Sequence, residues 1–220
     1  MKNRFLICLL AAPAIGIGLY PILYFFIDMN SGLLNTKEAW LLESTIWNIG
    51  FYTHIIFGGI ALLIGWIQFV DKWRIANIIM HRNLGKIYLS CVLLSSLSGI
   101  YLGVYASGGI IPSAGFVSLG ILWFLTSYFG YVSIIKNRLI AHKNWMIYSY
   151  SLCFAAVTLR IWLPLLSAFC GEFLIAYQIT AWLCWVPNLI VAYFIIKKEK
   201  PKELSSYSLT KMNSNTKTSH

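Results

Sequence analysis

Residues 46–70 read IWNIGFYTHIIFGGIALLIGWIQFV, twenty-five residues without a formal charge and with one histidine, closed by Asp71-Lys72-Trp73-Arg74. A helix needs about 20 mainly apolar residues to cross the hydrocarbon core of a bilayer. This stretch is long enough, and the charges at its end mark where it leaves the membrane. The same arrangement recurs at Phe5–Ile27, Leu84–Ala106, Phe116–Ile135, Trp145–Phe169 and Phe173–Ile196. The sequence therefore predicts an all-α integral membrane bundle of six transmembrane helices over residues 1–196.

Charge sets the expected orientation. Fifteen of the seventeen Lys and Arg residues fall in four clusters: Lys2 and Arg4; Lys72, Arg74, Arg82 and Lys86; Lys136, Arg138 and Lys143; and six lysines from Lys197 to Lys217. Cytoplasmic loops collect Lys and Arg, which places both termini and the second and fourth connections in the cytoplasm. Residues 197–220, rich in Lys, Ser, Thr and Asn, read as a basic, disordered cytoplasmic tail. Lys2 and Arg4 before an apolar run resemble a secretory signal, but the run continues to Ile27, too long for a signal core, so an uncleaved first span is expected.

Composition narrows the function. With 59 % hydrophobic and 11 % charged residues in 220, no length remains for a separate catalytic domain, so any activity is built into the helices. The net charge of +10 lies beside the spans, where it suits anionic membrane lipids and not nucleic acid. The five cysteines are odd in number and without CxxC spacing, which argues against a disulfide framework or structural zinc. No HExxH run, strand-linked phosphate loop or embedded Ser or Asp pair suggests a hydrolase.

The connections carry their own signals. Asp28 to Ser44 is the longest, and mixes Leu33, Leu34, Trp40, Leu41 and Leu42 with polar residues, as a short interfacial helix does. Ser107-Gly108-Gly109-Ile110-Ile111-Pro112-Ser113 reads as a turn between neighbouring antiparallel helices. His81-Arg82-Asn83 and His142-Lys143-Asn144 form a matched pair before the third and fifth spans. Two readings stand: each Asn caps its helix, or the two imidazoles share a pocket at the cytoplasmic face.

Arg160, inside the fifth span between Leu159 and Ile161, demands explanation because an Arg at depth costs at least about 2.5–3.5 kcal/mol and usually faces a partner or a watery cavity. At a rise of 1.5 Å per residue, Arg160 lies about 22 Å above the inner boundary and His54 about 24 Å. Tyr101 on the third helix and Trp182 on the sixth come out near the same level. An outer-half pocket of His54, Arg160, Tyr101, Thr158 and Trp182 is thus expected; the alternative is that Arg160 snorkels to the outer headgroups and His54 hydrogen-bonds a neighbouring carbonyl. Such a pocket suits a quinone carbonyl, a haem propionate or a lipid phosphate held by the planar donors of Arg. Pro164 and Pro187 remove backbone donors and predict kinks in the fifth and sixth helices, while Gly58, Gly59, Ala61 and Gly65 favour close helix packing.

Taken together, Gly58-Gly59 after His54, His81-Arg82-Asn83-Leu84-Gly85-Lys86, His142-Lys143-Asn144-Trp145-Met146, the run Phe154 to Arg160 with Leu163-Pro164, and Trp182-Leu183-Cys184-Trp185-Val186-Pro187-Asn188-Leu189 resemble one family. They are similar to the bacterial predicted membrane proteins grouped as domain of unknown function 2306, over about residues 46–195. The resemblance implies a multi-pass protein of the bacterial inner membrane and supplies no mechanism. Three functions remain in competition. One is a redox protein holding haem b or quinone, with His81 and His142, or His54 with a partner, as ligands and Arg160 on a propionate or carbonyl. Another is a small-molecule or lipid transporter with a pocket around Arg160 and His54. The last is a non-catalytic assembly subunit.

Overall fold

The computed structural model describes residues 4–26 and 32–198, and every regular element among them is helical. Six helical segments are long and apolar enough to cross a membrane: Ile7–Tyr24, Thr45–Phe69, Ile78–Val104, Ile110–Ile135, Leu139–Cys170 and Phe173–Lys198. They are numbered as spans one to six below. The predicted tail begins in the last turn of span six, and from residue 199 onward it lies outside the described residues, as does the start of the first outer connection.

The bundle distributes polarity as a membrane protein does. Ser95, Ser96, Ser149 and Thr180 are fully enclosed, while Ile46, Ile110 and Phe169 point outward. Interhelical hydroxyl bonds replace hydrophobic contrast as the specific glue in lipid. Tyr88 Oη and Ser127 Oγ lie 2.8 and 2.6 Å from Ser149 Oγ, joining spans three, four and five. Tyr150 Oη donates to the Leu62 carbonyl at 3.1 Å and ties span five to span two.

Span one packs on span two, two on three, three on four, four on six, six on the second half of five (Ala155–Cys170), and that half on span one. The contacts close a ring, and a ring encloses space. One end carries the basic connections. The other carries two short helices, Gly32–Thr36 and Ala39–Glu43, whose Leu34 and Leu41 are buried against Trp47 and Phe51. Leu34 and Leu41 of the predicted interfacial segment thus cover the bundle end, while Trp40 stays exposed.

Several boundaries differ from the sequence expectation. Span three begins at Ile78, where Asn77 accepts from the Met80 N–H at 2.9 Å, so Asn83 lies inside the helix and is not its cap. Span five begins at Leu139, which likewise puts Asn144 in mid-helix. Both helices begin ahead of the apolar run and take in the basic residues before it, which makes an apolar-run criterion start them too late. The turn before span four is Gly108 and Gly109 at φ 89° and 88°, a region only glycine enters freely, and Pro112 falls in the first turn, where its missing N–H is harmless.

The main break in span five is at Phe154, between the helices Leu139–Cys153 and Ala155–Cys170, and helix continues through Pro164. Span six breaks at Cys184 and Trp185, next to Pro187, which has no N–H for the Leu183 carbonyl. The two breaks face each other and share a polar brace. Asn188 Nδ2 reaches the Cys184 carbonyl at 3.0 Å, Thr158 Oγ1 at 3.1 Å and the Ser151 carbonyl at 3.2 Å, and Thr158 Oγ1 also donates to the Cys184 carbonyl. Asn188→Leu leaves these acceptors without that donor in an apolar setting, at about 1–3 kcal/mol. Its thermal unfolding midpoint in detergent should fall below the parent's, and an unchanged midpoint would show the brace to be dispensable.

Candidate functional site

The ring encloses a cavity of about 930 Å³ to which all six spans contribute, from Tyr20 and Tyr24 on span one to Tyr177 on span six. That volume lies at the upper end for pockets that hold small molecules, about 300–1,000 Å³. Its walls are mainly aliphatic and aromatic, including Leu62, Phe116, Leu119 and Trp123. Three groups able to carry positive charge, His54, Arg160 and Lys37, line it, and among the described residues no Asp or Glu does.

Among the described residues, Arg160 is held without an acidic partner. Its guanidinium carbon sits 4.5 Å from the centroid of the Tyr20 ring, a cation–π arrangement, and Nη1 donates to the Ala156 carbonyl at 3.0 Å. A guanidinium has five N–H donors, and among the described residues these are its only fixed contacts. Its remaining donors are not sealed off by protein, and the residue lines the cavity. The positive charge is presented to the cavity.

His54 is oriented more tightly. Its Nδ1 lies 2.8 Å from the Ser95 carbonyl and 3.2 Å from Ser95 Oγ, while that hydroxyl donates to the His54 carbonyl at 2.9 Å. Two glycines make room for the pair. A Cβ on Gly99 would fall 2.9 Å from the imidazole, and one on Gly58 would fall 2.9 Å from Ser95 Oγ. Gly58, expected to serve close helix packing, therefore clears space for a side chain. Trp47 Nε1 and Ser167 Oγ, also on the cavity wall, are buried with no hydrogen-bond partner among the described residues.

Lys37 lies in the bend between the two short helices at the loop end and donates to the Tyr105 carbonyl. Burial holds its ammonium pKa down, from the ordinary lysine value to about 8. At pH 8 about half of Lys37 is neutral, against under about 1 % of an ordinary lysine. A water-soluble N-hydroxysuccinimide ester at pH 8 should therefore acylate Lys37 ahead of the other lysines, with a rate that rises through a midpoint near 8. Peptide mass spectrometry reads the order of labelling, and labelling of Lys37 last would refute the lowered pKa.

The other expected site residues lie elsewhere. Tyr101 packs with Tyr105, ring centroids 5.2 Å apart, in the cluster under the loop end. Thr158 belongs to the brace between helix breaks. Trp182 donates to the Ile111 carbonyl at 3.2 Å and borders a shallow depression between spans four and six. These three share the level of His54 and Arg160 but project from other helix faces. The residues that sequence reasoning missed are Tyr20, Lys37 and Ser95. Ser95 had a visible signal, standing with Ser96, Ser98 and Gly99 in an apolar helix.

At the basic end, His142 Nδ1 lies 2.8 Å from the Gly130 carbonyl, and His81 Nδ1 is buried without a partner among the described residues. The two imidazoles lie within electrostatic reach of each other. They form a second locality, and neither lines the large cavity. Among the described residues, no group of three or more His, Cys, Asp and Glu could hold a metal ion.

A family model described as predicted membrane protein (DUF2306) matches residues 51–196. No curated protein and no solved structure matches the chain. The matched segment contains His54, Ser95, Gly99 and Arg160, whereas Tyr20 and Lys37 precede it.

Proposed function

The chain belongs to the family of predicted membrane proteins designated DUF2306, and from that premise and the cavity we propose that it binds an amphiphilic small molecule inside the membrane. An oxygen-rich or anionic head rests on Arg160 beside His54, and the apolar body fills the remaining volume. The observation that carries this reading is an Arg within an apolar span that lines a cavity on whose walls, among the described residues, no carboxylate stands. Such a charge is costly unless something with acceptor oxygens occupies the space. A carrier or receptor for a lipid-like compound is the role these features support best. We place the basic end in the cytoplasm, of a bacterial inner membrane, on the distribution of Lys and Arg.

A redox role with haem b or quinone is the second reading, favoured by the His54 ring. An imidazole whose Nδ1–H is fixed on a backbone carbonyl is the arrangement that iron-ligating and proton-exchanging histidines use. His81 and His142, together at the basic end, would serve such a role only through a separate site.

The test is to purify the protein in mild detergent and analyse its organic extract by mass spectrometry, with Arg160→Ala alongside. Oxidised and dithionite-reduced spectra of the same samples settle the cofactor. A compound enriched with the parent and lost from Arg160→Ala supports the cavity reading. A Soret band lost in His54→Ala would move the assignment to haem. An extract identical for both proteins and a colourless spectrum would count against both, and a stable larger complex on purification would then favour an assembly subunit.

A further inference from the structure

The hydrogen bonds around His54 restrict the ligand more than charge alone. We infer that the compound held by Arg160 carries an O–H next to its acceptor oxygens, and that this hydroxyl donates to Nε2 of His54. The inference rests on the proposed binding of an amphiphile in the cavity and specifies its head.

The argument counts protons. Ser95 has one hydroxyl hydrogen, and it is directed to the His54 carbonyl at 2.9 Å. Ser95 Oγ is therefore an acceptor toward Nδ1, and the Ser95 carbonyl, 2.8 Å from Nδ1, is an acceptor by nature. Both neighbours require the proton on Nδ1. In a neutral imidazole the other nitrogen then has a lone pair and no hydrogen. Nε2 has no hydrogen-bond partner among the described residues and is not sealed off by protein, and His54 lines the cavity.

The pinned ring cannot easily exchange its edges. Turning it over would put a C–H edge on the Ser95 carbonyl, and the space beside it is taken at Gly99, where the ring already approaches within 2.9 Å of a notional Cβ. Arg160 offers only donors and His54 Nε2 only an acceptor. A complementary head must therefore accept at one oxygen and donate at another. Simple fatty carboxylates, phosphate diesters and oxidised quinones lack the donor. Hydroxy acids and quinols have it.

Two matched pairs of probes separate these sources. The anionic pair is 2-hydroxydodecanoate and 2-methoxydodecanoate; the neutral pair is decylubiquinol and decylubiquinone under anaerobic conditions. Each is titrated by quenching of intrinsic tryptophan fluorescence into the full chain in lipid nanodiscs at pH 7.5. Within at least one pair the hydroxyl member should bind tenfold or more tightly, since a site built to pair a hydroxyl discriminates strongly against its absence. The pair that shows the ratio identifies an anionic or a neutral head. His54→Gln should abolish the ratio, because its amide offers both a donor and an acceptor. Ser95→Ala, which frees the ring to change tautomer, should reduce it.

Equal binding within both pairs, with dependence on Arg160 retained, would overturn the hydroxyl assignment and leave the cavity reading intact. A ratio that persists in His54→Gln would overturn it as well. Binding of none of the four probes would overturn both readings.

Discussion

Arg160→Leu is expected to leave the protein at least as stable as its parent while weakening ligand binding by about a hundredfold or more. The two halves have separate origins. Two charge-assisted hydrogen bonds from a guanidinium to a ligand head contribute about 3 kcal/mol even at the low end of their range, which is about two decades in affinity. Stability follows the opposite logic. Holding an Arg at depth costs about 2.5–3.5 kcal/mol, and the contacts returned are the stack on Tyr20 and one bond to the Ala156 carbonyl. A stack of this kind contributes about 0.5–2 kcal/mol.

A purely structural Arg160 predicts the reverse pattern, with loss of folded protein and no specific loss of ligand. Thermal unfolding in detergent, beside ligand recovery by mass spectrometry, separates the two. Arg160→Lys sharpens the comparison, because it keeps the charge and loses the planar fork. It should bind more weakly than the parent and more tightly than Arg160→Leu. A destabilised Arg160→Leu that retains its ligand would reject the functional role of this residue.

The depth of each residue was legible in the sequence, and its direction was not. Counting along helices of known rise put His54 and Arg160 at one level, and both line one cavity. The same count put Tyr101, Thr158 and Trp182 there too, yet these project into the loop-end cluster, the brace and the groove beside span four. Helix rotation is fixed by packing partners on other spans. Spans two, three and four show little hydrophobic periodicity, the usual guide to rotation, so the pattern gives no face there.

The break at Phe154 was hidden for a related reason. No Gly or Pro marks it, and Pro164 drew attention to a point where the helix continues. What interrupts span five is tertiary: Asn188 reaches a carbonyl of the last turn before the break and Thr158 just beyond it. The closure of six helices into a ring was equally absent from the sequence. It depends on span six packing between spans four and five, out of chain order.

Gly99→Ala offers the most direct test of how the His54 ring is held. The three atoms nearest a Cβ at this position all belong to the imidazole: Cε1 and Nδ1 at 2.9 Å and Cγ at 4.0 Å. The ring cannot retreat without leaving the Ser95 carbonyl, so the substitution should cost about 1–3 kcal/mol, the usual range for overpacking. Because the clash is with His54, the double variant Gly99→Ala, His54→Ala should recover most of that loss. The cycle should show a coupling of about 1–2 kcal/mol, well above the few tenths expected of independent sites. If Gly99 served only to bring two helix backbones together, removing the imidazole would recover nothing, and the losses would add. The same variant should shift Nε2 from its position, so Gly99→Ala should lose the preference for hydroxyl-bearing probes that His54→Gln loses. A variant that keeps the preference while suffering the clash would mean that the ring relaxes without moving its acceptor, and that Gly99 sets the stability of the site but not its selectivity.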